Sequence, residues 1–232
     1  MAVPTIEFDA EPYQIINQAR EVWLRRVIAA LPIRQDLSTA LDLGCGAGYF
    51  SGVLRDLGFS VTGLDLRADN IDICRSRYPN VKFGLIDLDG EIGDMGIYDL
   101  VLLFGVLYHL QSPLQTILRI RRAIGRVGIV STRVVSGNEM ACYLFSEPQG
   151  AAHNTARVTC VPTFPAVISI FSLAGFDHIY YPEEQPDHPQ WHPDFGNGRR
   201  HCFVVAREPL DVPRWELLTP LRFLRKWEPI VS

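Results

Sequence analysis

Residues 41–50 read LDLGCGAGYF, placing glycines at 44, 46 and 48 within a span of five. Glycine costs backbone entropy, so such a cluster answers either to a turn with unusual dihedrals or to a ligand pressed against the backbone. A phosphate-binding P-loop needs Lys-Ser/Thr after its glycines, and Tyr49-Phe50 stands there instead. A dinucleotide fingerprint is spaced G-x-G-x-x-G, whereas this loop is G-x-G-x-G. Cys45, between two glycines, has the chemistry of a metal ligand but no partner: the five cysteines are widely spaced and form no C-x-x-C pair. It is better read as a small apolar side chain beside a ligand. The run DHPQWHP, with His188, Trp191 and His192, lacks a spacing that closes a tetrahedral site, so no metal is expected.

The elements that must carry this loop alternate along the chain. Apolar residues recur with helical period over 13–31, and strand-like runs follow at 39–43, 60–65, 81–85, 98–104, 126–133, 176–181 and 201–206. Helical stretches fit between them near 49–57, 68–77, 112–123 and 163–174. Near-continuous apolar strands alternating with helices predict an α/β fold: a seven-stranded, mostly parallel sheet with helices on both faces. A long polar loop joins the last two strands, which predicts an antiparallel last strand at one edge. The glycine turn then lies at the carboxyl end of the first strand, where open α/β sheets bind ligands. Two irregular segments, 134–162 and 182–200, interrupt the rhythm as candidate lids.

With these elements in place, LDLGCGAG resembles the first motif of the class I S-adenosylmethionine-dependent methyltransferases, a Rossmann-like fold. VTGLDLR, LIDLDG and FGVLYHLQSP follow in the order of that family's later motifs, and the likeness runs over roughly residues 38–206. The resemblance implies one methyltransferase domain over 1–232. It would comprise an N-terminal helical cap (1–35), a catalytic core (36–207) holding the two insertions, and a C-terminal tail (208–232). It also implies S-adenosyl-L-methionine as cofactor and a set of residues to hold it. Gly44, Cys45, Gly46 and Gly48 would cradle the amino-acid tail, with Asp42 near its ammonium and loop amides facing its carboxylate. Asp65, with Leu66 beside it, would accept the ribose hydroxyls. Asp87 and the Leu88 amide would meet the adenine, and Phe104 opens the segment lining the sulfonium and the substrate. Tyr13 falls where related enzymes fold a helix over the cofactor, whereas Trp23 reads as core.

Methyl transfer is an in-line displacement on an already activated donor, so much of the catalysis is positioning. A base is needed only where the acceptor must lose a proton. His109, just after the fourth strand, is either that base or a histidine that shapes the pocket through the backbone. Tyr108 is read as packing or as a substrate wall. Tyr143, Asn154, Arg157, Trp191 and His192 in the two insertions suit a compact polar acceptor. Arg199 and Arg200 either grip an anion or, as is commoner, are solvated.

Net charge is −4 and the pI about 5.9, so no global basic field draws the chain to nucleic acid or membrane. No uncharged run spans a bilayer, the N-terminus lacks a basic leader, and the odd, scattered cysteines fit a reducing cytosol. The leading expectation is therefore a cytoplasmic O- or N-methyltransferase of a small polar molecule, such as a sugar or natural-product intermediate. One rival is an enzyme of the transfer-RNA wobble uridine, because LYHLQSPLQTI echoes that group, some of whose members use a carboxylated donor. The other is a methyltransferase-like binding subunit without catalysis.

Overall fold

The computed structural model describes residues 7–146, 158–196 and 198–218. Among these, the expected strands are found close to their expected bounds. They are β1 (Thr39–Leu43), β2 (Ser60–Asp65), β3 (Lys82–Leu85), β4 (Tyr98–Phe104) and β5 (Ile124–Arg133). The five are parallel in the order β3-β2-β1-β4-β5. Helices α1 (Glu11–Ala30), α2 (Tyr49–Asp56), α3 (Ala68–Arg77), α4 (Pro113–Ile120) and α5 (Phe164–Leu173) cover the sheet.

Two features depart from the expected count of seven. Residues within the first irregular segment form a separate hairpin, β6 (Cys142–Ser146) with β7 (Val158–Pro162). All of β6 is exposed, so no buried face imposed a readable alternation on it. Next come β8 (His178–Pro182) and β9 (Arg200–Ala206), antiparallel to each other, with β9 antiparallel also to β5. They are not the edge, because β10 (Trp215–Leu218), in the segment read as a tail, pairs antiparallel with β8. Among the described residues the main sheet therefore has eight strands.

The apolar run of β4 is continuous because both of its faces are buried. Leu100 and Leu102 pack with Trp23, Leu24 and Leu54 beneath α1 and α2. Val101 and Leu103 pack with Ile117 and Phe171 beneath α4 and α5. Each such side chain, fully buried, contributes roughly 1.5–3 kcal/mol. The same packing stiffens the strand ends that carry the site. Trp23 is core, as read, and anchors α1 further by donating its indole N–H to the Glu184 carbonyl at 2.7 Å.

Candidate active site

At the carboxyl ends of β1, β2 and β4, a cavity of about 580 Å³ opens between the glycine loop and α1. Gly44, Gly46 and Gly48 all have positive φ, at 69°, 52° and 84°. At two of them space as well as dihedral demands glycine. A Cβ on Gly44 would stand 2.3 Å from the Val106 side chain, and one on Gly46 would stand 3.0 Å from the Phe8 ring. Much of the loop's hydrogen bonding is internal. The Gly44 and Cys45 amides donate to the Leu64 carbonyl at 2.7 and 3.0 Å, and Gly48 donates to Cys45 at 2.9 Å.

Asp65 lines the cavity and is also the loop's anchor. Its carboxylate accepts from the Gly46 amide at 2.9 Å, the Arg67 amide at 3.0 Å and the Asn70 side chain at 3.0 Å. Leu66, Asp87, Leu88 and Phe104 line the cavity with it, as do Gly44, Cys45 and Gly46. Cys45 is buried against Cys74; a hydrogen bond with that thiol and burial both push its own thiol well above the ordinary range. It is packed, and Cys74 donates to the Gly46 carbonyl at 3.1 Å.

Two expected donor-binding residues stand behind the wall instead. Gly48 caps α2 and faces Cys74 and Tyr78. Asp42 is 2% exposed and accepts the Ser51 hydroxyl at 2.7 Å from α2. Burial raises its carboxyl to about 7, against the lowering effect of the Ser51 hydrogen bond. It braces β1 to α2 rather than facing the cavity.

The roof is α1 with the turn before it. Phe8 and Tyr13 meet edge to face at 5.9 Å, and both line the cavity. Asp9 pairs with Arg77 of α3 at 2.6 Å, pinning the roof across the glycine loop. The first irregular segment does not roof the cavity, as far as its described residues go. It buttresses the floor: Thr159 donates to the Tyr108 carbonyl, and the Cys160 amide donates to Leu110 at 2.8 Å. Of the groups expected to grip an acceptor, Tyr143 is exposed and donates to Glu139 at 2.7 Å, His192 is exposed, and Trp191 is buried. Asn154 and Arg157 lie outside the described residues.

Tyr108 and His109 stand together on the turn after β4, ring centroids 4.1 Å apart, and both face the cavity. Around the Tyr108 phenol gather Arg20, Arg133 and Arg200, all lining the same cavity. Arg200 is not solvated, contrary to expectation: it is 5% exposed and donates to the Tyr108 hydroxyl at 3.1 Å. Burial by itself raises the Tyr108 phenol. The charges of Arg200, His109, Arg20 and Arg133 outweigh it and pull the group down to about 6.

Arg20 and Arg133 escaped the sequence reading. The signal for Arg20 was present: it interrupts the buried stripe Ile16, Trp23, Val27 of α1 at helical spacing, where a charge has no packing reason to be. Arg133 ends the apolar run of β5, a position at the ligand-binding rim of a parallel sheet. Among the described residues no group of three or more His, Cys, Asp or Glu is placed to hold a metal ion. No described helix is long and apolar enough to cross a membrane.

Comparison with known proteins fits this geometry. Residues 15–193 match a family model described as a methyltransferase domain. The tRNA U34 carboxymethyltransferase of Actinobacillus succinogenes is 29% identical over 163 residues, covering 67% of this chain and 50% of that protein. The ubiquinone biosynthesis O-methyltransferase of Bordetella avium is 28% identical over 112 residues, 46% of this chain and 45% of that protein. The chain thus spans about half the length of these curated relatives. Among solved structures, the N-terminal domain of EvdMO1 with bound S-adenosylhomocysteine superposes with a TM-score of 0.67 at 20% identity, over 85% of both chains.

Proposed function

The chain belongs to the methyltransferase-domain family, and on that premise we propose that its cavity binds S-adenosylmethionine and directs the methyl group to a small polar acceptor, by O- or N-methylation. One observation carries the reading: a single cavity runs from Asp65 and Asp87 past the glycine loop to Tyr108 and His109, under the α1 roof. At about 580 Å³ it falls within the roughly 300–1,000 Å³ usual for small-molecule sites. Its residues fit the donor. The glycines keep side chains away from the loop surface, carboxylates stand at the ends of β2 and β3, and Phe104 and Leu88 offer apolar walls.

When bound, the donor supplies a methyl group already activated on a sulfonium. The chain's own residues orient and desolvate. Asp65 keeps one oxygen on the Gly46 amide and offers its remaining acceptor capacity to ribose hydroxyls. Asp87 and the Leu88 amide stand where the adenine is expected. With the amides of Gly44, Cys45, Gly46 and Gly48 engaged internally, Ala47 and the first turn of α2 are the loop's donors toward a tail carboxylate. His109 is positioned to hold the proton that a hydroxyl or ammonium acceptor gives up. Tyr13 closes the roof above the reacting groups.

A transfer-RNA reading takes support from the name of the Actinobacillus relative. A negative net charge and a roofed cavity favour the small acceptor, because each neutralised phosphate of a nucleic acid needs its own cation. The test is calorimetry with S-adenosylhomocysteine, then methyl transfer from labelled donor to a small-molecule panel and, separately, to bulk transfer RNA. Label in small molecules supports the proposal; salt-sensitive label in transfer RNA alone overturns it.

A further inference from the structure

Among the described residues, three arginines of the cavity have no carboxylate partner. Arg20 comes from α1, Arg133 from the end of β5 and Arg200 from the start of β9. Arg20 and Arg200 are only 6% and 5% exposed, and Arg133 is half-buried. The hydrogen bonds of Arg20 and Arg200 go to no carboxylate: Arg20 donates to the Asn17 side chain at 3.3 Å, and Arg200 donates to Gln190 at 2.7 Å and to the Tyr108 hydroxyl. The Arg20 Nε, the Arg133 Nε and the Arg200 Nη1 are buried with no hydrogen-bond partner among the described residues.

Such a cluster is costly. Buried charge is normally paired, and an unpaired buried nitrogen loses its hydration without compensation. Arg133 and Arg200 are moreover direct cross-strand partners on β5 and β9, a like-charge placement that destabilises a sheet. Aromatic faces offset only part of this: Trp191 lies 5.7 Å from the Arg20 guanidinium and 5.8 Å from that of Arg200, and Tyr108 lies 5.2 Å from Arg200. Burial first, then the Arg200 charge, lowers Arg20 to about 9, so it remains cationic at neutral pH. Even an ionised Tyr108 balances one charge of the three.

We propose that Arg20, Arg133 and Arg200 form an oxyanion subsite that holds a carboxylate or phosphate group of the methyl acceptor. This rests on the methyltransferase reading and narrows it: the acceptor is an acid, oriented by its anion while the nucleophilic atom faces His109. The planar guanidinium forks suit the paired oxygens of such groups. The partnerless nitrogens are the donors an oxyanion would satisfy.

The test is calorimetry of the full chain, first with S-adenosylhomocysteine and then, once saturated, with orthophosphate and with succinate as probes. Either anion should bind the saturated protein, and Arg200→Gln and Arg133→Gln should each weaken it by about tenfold or more. Both variants should keep their affinity for S-adenosylhomocysteine. Without anion the melting temperature of Arg133→Gln should equal or exceed that of the wild type, since an unpaired charge is removed. Arg133→Gln, on the less buried residue, serves if Arg200→Gln does not fold. In turnover, carboxylic acids should accept label where their neutral amides do not. Absence of anion binding to the saturated protein overturns the proposal, as does unchanged binding in both variants. One-for-one competition between anion and S-adenosylhomocysteine also overturns it, because the arginines then hold the donor's own carboxylate. Arginine-dependent anion binding in a protein that ignores S-adenosylhomocysteine defeats the methyltransferase reading and, with it, an acceptor subsite.

Discussion

The Gly46 amide donates to the Asp65 carboxylate at 2.9 Å, so the glycine loop after β1 and the acid at the end of β2 are one mechanical unit. The loop's shape therefore depends on the same carboxylate that is proposed to receive the ribose.

Asp65→Ala should cost both binding and stability. Each lost hydrogen bond to a charged group is worth roughly 1.5–3 kcal/mol. We expect S-adenosylhomocysteine affinity to fall by at least about tenfold in calorimetry, with a lower melting temperature. Asp65→Asn should recover most of the stability and less of the affinity, since one acceptor oxygen remains for Gly46. Unchanged affinity in Asp65→Ala would put the ribose elsewhere.

Asp42 makes stability depend on pH. Its folded carboxyl is raised to about 7, mainly by burial. Its stabilising contribution is therefore complete below the unfolded value near ~4 and is lost as pH rises toward 7. Denaturant melts of wild type should show this decline. Asp42→Asn, which keeps an acceptor for Ser51, should flatten it and gain on the order of 3 kcal/mol relative to wild type near neutral pH. A wild-type profile that rises between pH 4 and 7, and keeps that slope in Asp42→Asn, would contradict the assignment.

For His109 the expectation is a split between binding and turnover. A positioned base is worth about 10²–10⁴ in rate. His109→Ala should bind S-adenosylhomocysteine like wild type while kcat falls by that order. Turnover near normal across the pH range would leave His109 as a wall of the pocket.

Tyr108 should reveal the arginine cluster spectroscopically. The phenol is pulled down to about 6 because the surrounding positive charges outweigh its burial. Ultraviolet titration of the folded protein should show one phenolate forming far below the usual tyrosine range. That transition should vanish in Tyr108→Phe and move upward in Arg200→Gln. The linked stability is present at high pH and lost as pH falls through about 6. If all tyrosines titrate normally, the cations do not converge on this ring.

The sequence by itself determined the fold class, the glycine loop, the acids at the ends of β2 and β3 and the turn bearing Tyr108 and His109. These are written in neighbouring residues: an apolar run, a breaker, an acid at fixed spacing. Asp42 shows the limit of that local code, because its spacing from Gly44 could not say whether it faces the cavity or Ser51. Only the packing of α2 against the sheet set it against Ser51. The hairpin and β10 were missed for the related reason that exposed or short strands carry no buried alternation to read. The arginine cluster belongs wholly to the tertiary structure. Arg20, Arg133 and Arg200 come from a helix and two strands far apart in the chain. They meet only because β9 inserts antiparallel beside β5 while α1 packs over the same rim.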